Sequence, residues 1–167
     1  MALAQTVQRC LEKHAVPFEI VSHPPMPSAS RIAQASHISG EKVAKGVLLR
    51  DADGYALAVV PASYHLQLNE IGRALGSCVG LASEEEVCHL FGDCAAGAIP
   101  AVGSAYGLDV LVDQRLVDLD EVYFEGGDHE TLVRVRADDF KKLMAGALPG
   151  RFAEHDGAWP AKLADPA

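Results

Sequence analysis

The run Val43-Ala44-Lys45-Gly46-Val47-Leu48-Leu49-Arg50, the turn Asp51-Ala52-Asp53-Gly54 and the apolar return over 55–60 constrain this chain more than any other stretch. Two β-type segments meet at a turn where Gly54 is free to take a positive φ, which is the signature of a hairpin. Side chains alternate faces on a pleated strand, so Val43, Lys45, Val47 and Leu49 look the same way. An ammonium group therefore shares a face with hydrophobes. Two readings of Lys45 stay open at this point: it is held inward because the chemistry needs it, or Leu48 blurs the parity and Lys45 snorkels to water at a strand end.

Around this hairpin the pattern alternates between helices and short strands. Leu3, Val7, Cys10, Leu11 and His14 recur at helical spacing, predicting an amphipathic helix over 3–15 that ends before Pro17. A short strand is expected over 18–22. Pro24, Pro25 and Pro27 then remove backbone donors and impose a loop, after which Ser30 is placed to cap a short helix through Ala35. A helix is expected over 66–75, a strand over 78–81, and a capped helix over 83–91, where Ser83 with Glu86 reads as a reciprocal capping box. Strands over 109–112, 121–124 and 131–135, the turn Gly126-Gly127-Asp128 and a helix over 137–145 complete the pattern. These elements predict a mixed α/β (α+β) domain, a mixed sheet curled toward a barrel and flanked by helices, over residues 1–147. Residues 148–167 read as a C-terminal tail that docks through Trp159.

Composition narrows the class. The 167 residues are 49% hydrophobic, enough for one buried core. No apolar run reaches membrane-spanning length, and the N-terminus is amphipathic, unlike a signal peptide, so the expectation is a cytoplasmic protein without a membrane partner. Cys10, Cys78, Cys88 and Cys94 lack the density of a disulfide framework and read as reduced; Cys88 fits an apolar helix face. The group Cys88, His89 and Cys94 lacks a second matching pair of ligands, and no metal and no cofactor is expected.

The net charge of −9 is unevenly spread: residues 1–80 carry seven Lys and Arg against six acids, residues 81–167 seven against seventeen. DNA is not an expected partner. A polyanion that docks at all meets Arg31, Lys42, Lys45, Arg50 and Arg73, with weak and salt-sensitive binding. No dinucleotide fingerprint, Walker sequence or nucleophile elbow is present.

The segment Ala95-Ala96-Gly97-Ala98-Ile99-Pro100-Ala101-Val102-Gly103 is too rich in small residues for an amphipathic element and too apolar for a solvated loop. Gly97 lets the main chain approach a ligand without a Cβ in the way, and backbone N–H groups in such a loop can hold an oxyanion or a carbonyl. The competing account is a plain turn between helix and strand.

Three motifs in order, Val43-Ala44-Lys45-Gly46-Val47-Leu48-Leu49, then Gly97 to Gly103, then Val122-Tyr123-Phe124-Glu125-Gly126-Gly127-Asp128-His129 followed by a hydrophobic strand and Asp138-Asp139-Phe140, resemble the YbaK/prolyl-tRNA-synthetase-associated domain family over about residues 3–145. The resemblance implies an aminoacyl-tRNA deacylase that clears mischarged tRNA in trans, with mischarged tRNA and an aminoacyl-tRNA synthetase as partners. It implies that Lys45 positions the acylated tRNA end and that Gly97 and Ala98 open the loop whose backbone contacts the ester carbonyl. Ile99, Pro100, Ala101, His129 and His23 follow as substrate-binding residues. Ala101 departs from the family, which usually has proline there, and substrate preference is where that departure is expected to act. Two other classes compete: a binding module of the same fold without hydrolysis, recognising an aminoacyl-tRNA end, a nucleotide or an amino-acid-like ligand, and an unrelated hydrolase using Cys88, His89 or Cys94.

Overall fold

A computed structural model describes residues 3–26 and 28–155; Trp159 and its expected docking lie outside them. In chain order the elements are α1 (Gln5–Lys13), β1 (Glu19–Ser22), α2 (Ala29–Ala35), β2 (Val43–Arg50), β3 (Tyr55–Pro61), β4 (Tyr64–Leu66), α3 (Leu68–Leu75), β5 (Gly80–Leu81) and α4 (Glu84–Leu90). A single 3-10 turn (Gly103–Tyr106), β6 (Asp109–Asp113), α5 (Gln114–Val117), β7 (Glu121–Glu125), β8 (Thr131–Arg136), α6 (Ala137–Leu143), β9 (Leu148–Gly150) and β10 (Ala153–His155) follow. The fold is the expected mixed α/β domain.

The hairpin is the centre of the sheet. Its path runs β1-β8-β7-β2-β3-β6-β9, with β5 also on β2, while β4 pairs separately with β10. β2 and β3 pair antiparallel from Ala44↔Pro61 to Arg50↔Tyr55, and Asp51 closes the turn by accepting the N–H groups of Asp53 (2.8 Å) and Gly54 (2.9 Å). Gly54 has the positive φ that the turn requires (145°).

Alternation along β2 sorts the core into two faces. Ala44 and Leu48 point into the main cluster with Leu57, Val59, Phe124 and Val133, closed by Val7 and Leu11 of α1 and Phe140 of α6. On the opposite face Leu49 packs with Ala58, Val60, Ile71 and Phe152, and Val43 with Ala33 and Ala62. Lys45 sits between these two smaller clusters, across from Val60, as the strand parity predicts.

Several local expectations change. Ser28, not Ser30, caps α2 by accepting the Arg31 N–H, and Ser30 turns its hydroxyl to the Ala62 carbonyl. Ser83 caps α4 through the Glu86 N–H, but the Glu86 carboxylate takes the Arg50 guanidinium at 2.8 Å instead of reaching back. Residues 64–66 are strand because Leu66 pairs with Ala153, a partner far away in sequence. The segment read as a tail begins with two strands: β9 extends the main sheet beside β6, and β10 covers β4. Fully buried Asp113 anchors this end, its carboxylate accepting Arg115 (3.0 Å) and the Phe152 N–H (3.0 Å). Asp113 also caps α5, which the sequence pattern did not reveal.

Candidate active site

The site forms where the sheet comes apart. β7 runs parallel to β2 only through Val43↔Tyr123 and Ala44↔Phe124, and β5 takes the same edge of β2 only at Leu49↔Leu81 and Arg50↔Gly80. The Val43 carbonyl bonds toward β3, accepting the Ala62 N–H, so even-numbered residues of β2 turn their N–H and C=O to the other edge. Gly46 therefore faces the gap between β7 and β5 with no ladder partner on that edge. Ile99 packs on Gly46 from the main-core face beside this gap: a Cβ on Gly46 would lie 2.9 Å from Ile99 Cγ2, so the absence of a side chain seats the loop.

The resulting cleft has a volume of about 160 Å³. Its walls are Ser28, Ala29 and Ile32 from α2, residues 43–46 of β2, Gly97 and Ile99 of the loop, Glu125 at the end of β7, His129, and Leu132 of β8. A typical ligand pocket holds roughly 300–1,000 Å³. This one is small, with room for a group no larger than an amino acid.

Lys45 is half-buried at the cleft and donates from Nζ to the Tyr64 carbonyl at 2.6 Å, with the Ala62 carbonyl at 3.5 Å. These carbonyl dipoles orient the ammonium along the β3–β4 connection.

On the opposite wall, the turn after β7 is organised by one carboxylate oxygen. Glu125 Oε1 accepts the N–H groups of Gly127 (2.9 Å), Asp128 (3.2 Å) and His129 (3.2 Å). Asp128 ties the turn's far side, accepting Glu130 N–H and the Thr131 hydroxyl, both at 2.9 Å. Burial alone would raise the Asp128 pKa, but these hydrogen bonds outweigh it and hold the carboxyl below its ordinary range.

The turn presents His129 at φ 63°, a left-handed conformation uncommon for a non-glycine residue. Its Nε2 is 2.6 Å from the Ala96 carbonyl. A carbonyl only accepts, so Nε2 carries the proton, and in the neutral ring Nδ1 keeps the lone pair. Ala95 N–H adds a second tie, to the Gly127 carbonyl at 2.7 Å. The imidazole lies over Gly97, where a Cβ would be 3.8 Å from Cε1; Gly97 is required for its φ of +78°, not for space.

The loop's donors are unequally available. Ala98 N–H bonds to the Ala95 carbonyl at 2.9 Å, and Pro100 has no N–H. Among the described residues the N–H groups of Gly97 and Ile99 have no acceptor.

Of the residues read from the sequence, the fold brings Lys45, Gly97, Ile99 and His129 to the cleft. Ala98, Pro100 and Ala101 are buried beneath the loop and off its walls, and Ala101 packs in the main core. The family departure at Ala101 thus changes packing, not the lining. His23 is also off the walls: it is buried, Nδ1 donates to its neighbour's carbonyl at Pro24 (2.8 Å), and Nε2 has no partner among the described residues. Gly46 and Glu125 lay inside the quoted motifs without being singled out. The signals that point to them are a glycine inside an otherwise bulky strand and a carboxylate before a glycine pair.

Most of the cations assigned to a docking surface are neutralised. Lys42 pairs with Asp120 and Glu121 (3.4 Å each), Arg50 with Glu86 (2.8 Å) and Arg73 with Glu70 (2.8 Å). Arg31 on α2 has no ion pair among the described residues, and it stands beside the cleft wall formed by Ser28, Ala29 and Ile32.

The cysteines do not form a nucleophilic centre with these groups. Cys94 is bonded to the Tyr106 hydroxyl at 3.3 Å, and burial, chiefly, pushes its thiol up to about 11. Cys88 is exposed, not on a packed face, and lines an apolar groove of about 260 Å³ on the far side of the Gly97 loop.

A family model described as an aminoacyl-tRNA editing domain matches residues 23–143, which includes every wall of the cleft. The chain belongs to the aminoacyl-tRNA editing domain family. Solved structures agree with this editing domain over nearly its whole length. One, described as a candidate trans-editing enzyme for prolyl-tRNA synthetase, is 28% identical with a TM-score of 0.79 over 90% of this chain and 96% of that one. Another, a scaffold from computational grafting of linear epitopes, is 28% identical with a TM-score of 0.76 over 90% and 96%. The protein APE2540, 21% identical with a TM-score of 0.78 over 90% and 100%, shares the fold. A comparison with proteins of curated function finds no match. The editing domain is thereby linked to aminoacyl-tRNA editing, and tRNA is the partner class its family implies.

Proposed function

We propose that this editing domain is a deacylase that hydrolyses the ester of mischarged tRNA in trans. The observation that carries the reading is the amino-acid-sized cleft with an ammonium on one wall and two unengaged N–H donors on another. In this reading Lys45 holds the terminal phosphate or ribose at the mouth, and the acyl group enters between Ile32, Ile99 and Leu132.

An aminoacyl ester is already activated, so positioning and charge stabilisation are sufficient. Water adds to the carbonyl carbon, the N–H groups of Gly97 and Ile99 stabilise the oxyanion, and collapse breaks the bond to the ribose oxygen, which takes up a proton. A neighbouring ribose hydroxyl of the substrate assists that transfer. His129 acts by fixing the loop, since its Nε2 proton is committed to Ala96. The paired surface cations favour delivery of the substrate by a synthetase over unaided capture of tRNA.

The test is release of labelled amino acid from a panel of correctly and incorrectly charged tRNAs by wild type and Lys45→Ala. Clearance of a mischarged species, slowed about 100-fold or more by the substitution, is the expected result. An active Lys45→Ala protein would overturn the role of Lys45; a folded wild type that clears nothing would leave a binding module.

A further inference from the structure

We infer that Glu125 is the binding site for a primary ammonium group on the ligand, the free α-amino group of the aminoacyl ester; this rests on the deacylase reading of the cleft. Glu125 supplies the only carboxylate among the cleft walls within the described residues. Its two oxygens are differently used. Oε1 is held by three backbone N–H groups, which fixes the side chain, while Oε2 has no hydrogen bond and no ion pair among the described residues. Oε2 is also not among the sealed, unpartnered polar atoms, so solvent or a ligand reaches it.

A turn-organising acid does not need to stand in a cleft wall. Here one hydrogen bond joins Glu125 to the His129 N–H, and another joins the His129 ring to the carbonyl of Ala96, next to Gly97. The carboxylate thus borders the loop assigned to the ester carbonyl. An aminoacyl ester places a cationic nitrogen on the carbon next to that carbonyl, and a fixed carboxylate oxygen is its natural acceptor. Lys45 and Glu125 then match the two charges of the substrate, phosphate and ammonium, in opposite order.

A functional consequence follows. N-acylated and peptidyl esters lack the cation and bring extra bulk into a cleft of about 160 Å³, so the site refuses them. Such selectivity would confine hydrolysis to esters with a free amine and spare growing chains.

The test uses two non-hydrolysable probes, 3′-(alanylamino)-3′-deoxyadenosine and its N-acetyl derivative, with binding measured by calorimetry to wild type and Glu125→Gln. Glutamine keeps an oxygen for the three N–H groups and removes only the charge. Wild type should bind the free amine about tenfold or more tightly than the acetylated probe at pH 6.5. That preference should shrink above about pH 8, where an α-amino group loses its proton. Glu125→Gln should show a smaller ratio, set by the acetyl group's bulk alone, that no longer changes with pH. A wild-type ratio near one, a Gln variant that retains the wild-type ratio, or no binding of either probe would overturn the ammonium site. Hydrolysis of charged tRNA is read separately: preference without hydrolysis keeps the site and removes the deacylase reading, and hydrolysis without preference does the reverse.

Discussion

His129 Nε2 and the Ala96 carbonyl, 2.6 Å apart, join two neighbouring segments of the cleft wall. The bond spans from the turn after β7 to the residue before Gly97, so it sets where the loop's free N–H groups lie. His129→Asn tolerates the positive φ but is shorter and loses this reach. Its kcat should fall about 10- to 100-fold while KM changes little, with faster amide exchange over 95–99. Unchanged exchange in that segment would dissociate the bond from loop position.

Gly46 and Gly97 should respond differently to alanine. At Gly46 the new methyl would meet Ile99 Cγ2 at 2.9 Å and Leu57 Cδ1 at 3.2 Å, so the loop must shift outward and stability should fall by about 1–3 kcal/mol. At Gly97 nothing lies closer than 3.8 Å, and the cost is the left-handed backbone, about 1–2 kcal/mol. Urea melts of the two variants, with the activity of each, check this: Gly46→Ala should lose more deacylation at equal loss of stability.

Ile99 lines the cleft, and Ala101, two residues on, is fully buried in the core. Ile99→Ala should therefore widen substrate choice, and each methylene admitted is worth about 1–3 kcal/mol of discrimination, or roughly 10- to 200-fold. Ala101→Ser should leave the ranking of charged tRNAs unchanged and lower Tm. A change of ranking in the Ala101 variant would contradict the placement of residue 101 outside the lining.

The pH dependence of stability should have two arms. Cys94 has a folded pKa raised from 9.0 to about 11, so its contribution is complete below about pH 9 and is lost as pH rises through 11. Asp128 has a folded pKa below its ordinary value of 3.8, so its contribution is complete above that value and is lost as pH falls through the lower folded one. Thermal melts across pH should show both declines, with Cys94→Ala making the alkaline arm shallower and Asp128→Asn the acid one, while Tyr106 and Asp93 contribute in the same directions. Deacylation by wild type should also survive thiol alkylation at pH 7, where Cys94 stays protonated.

The sequence by itself determined what depends on neighbours along the chain. Strand alternation placed Lys45 on the face of Val43 and Leu49, Ser83 marked the start of α4, and Gly54 and Gly97 marked backbone that only a residue without a Cβ adopts readily. The tertiary structure decided what depends on distant partners. Leu66 is strand because Ala153 lies beside it, and Lys42, Arg50 and Arg73 lose their value as a polyanion surface because acids meet them. Ala98, Pro100 and Ala101 share a motif with Gly97 and Ile99, yet only the latter two reach the cleft, since the loop turns its other residues into the core. Alternation and capping are written in the next few residues. The gap that makes the cleft is written nowhere locally, because it exists only where β7 parts from β2 before β5 arrives.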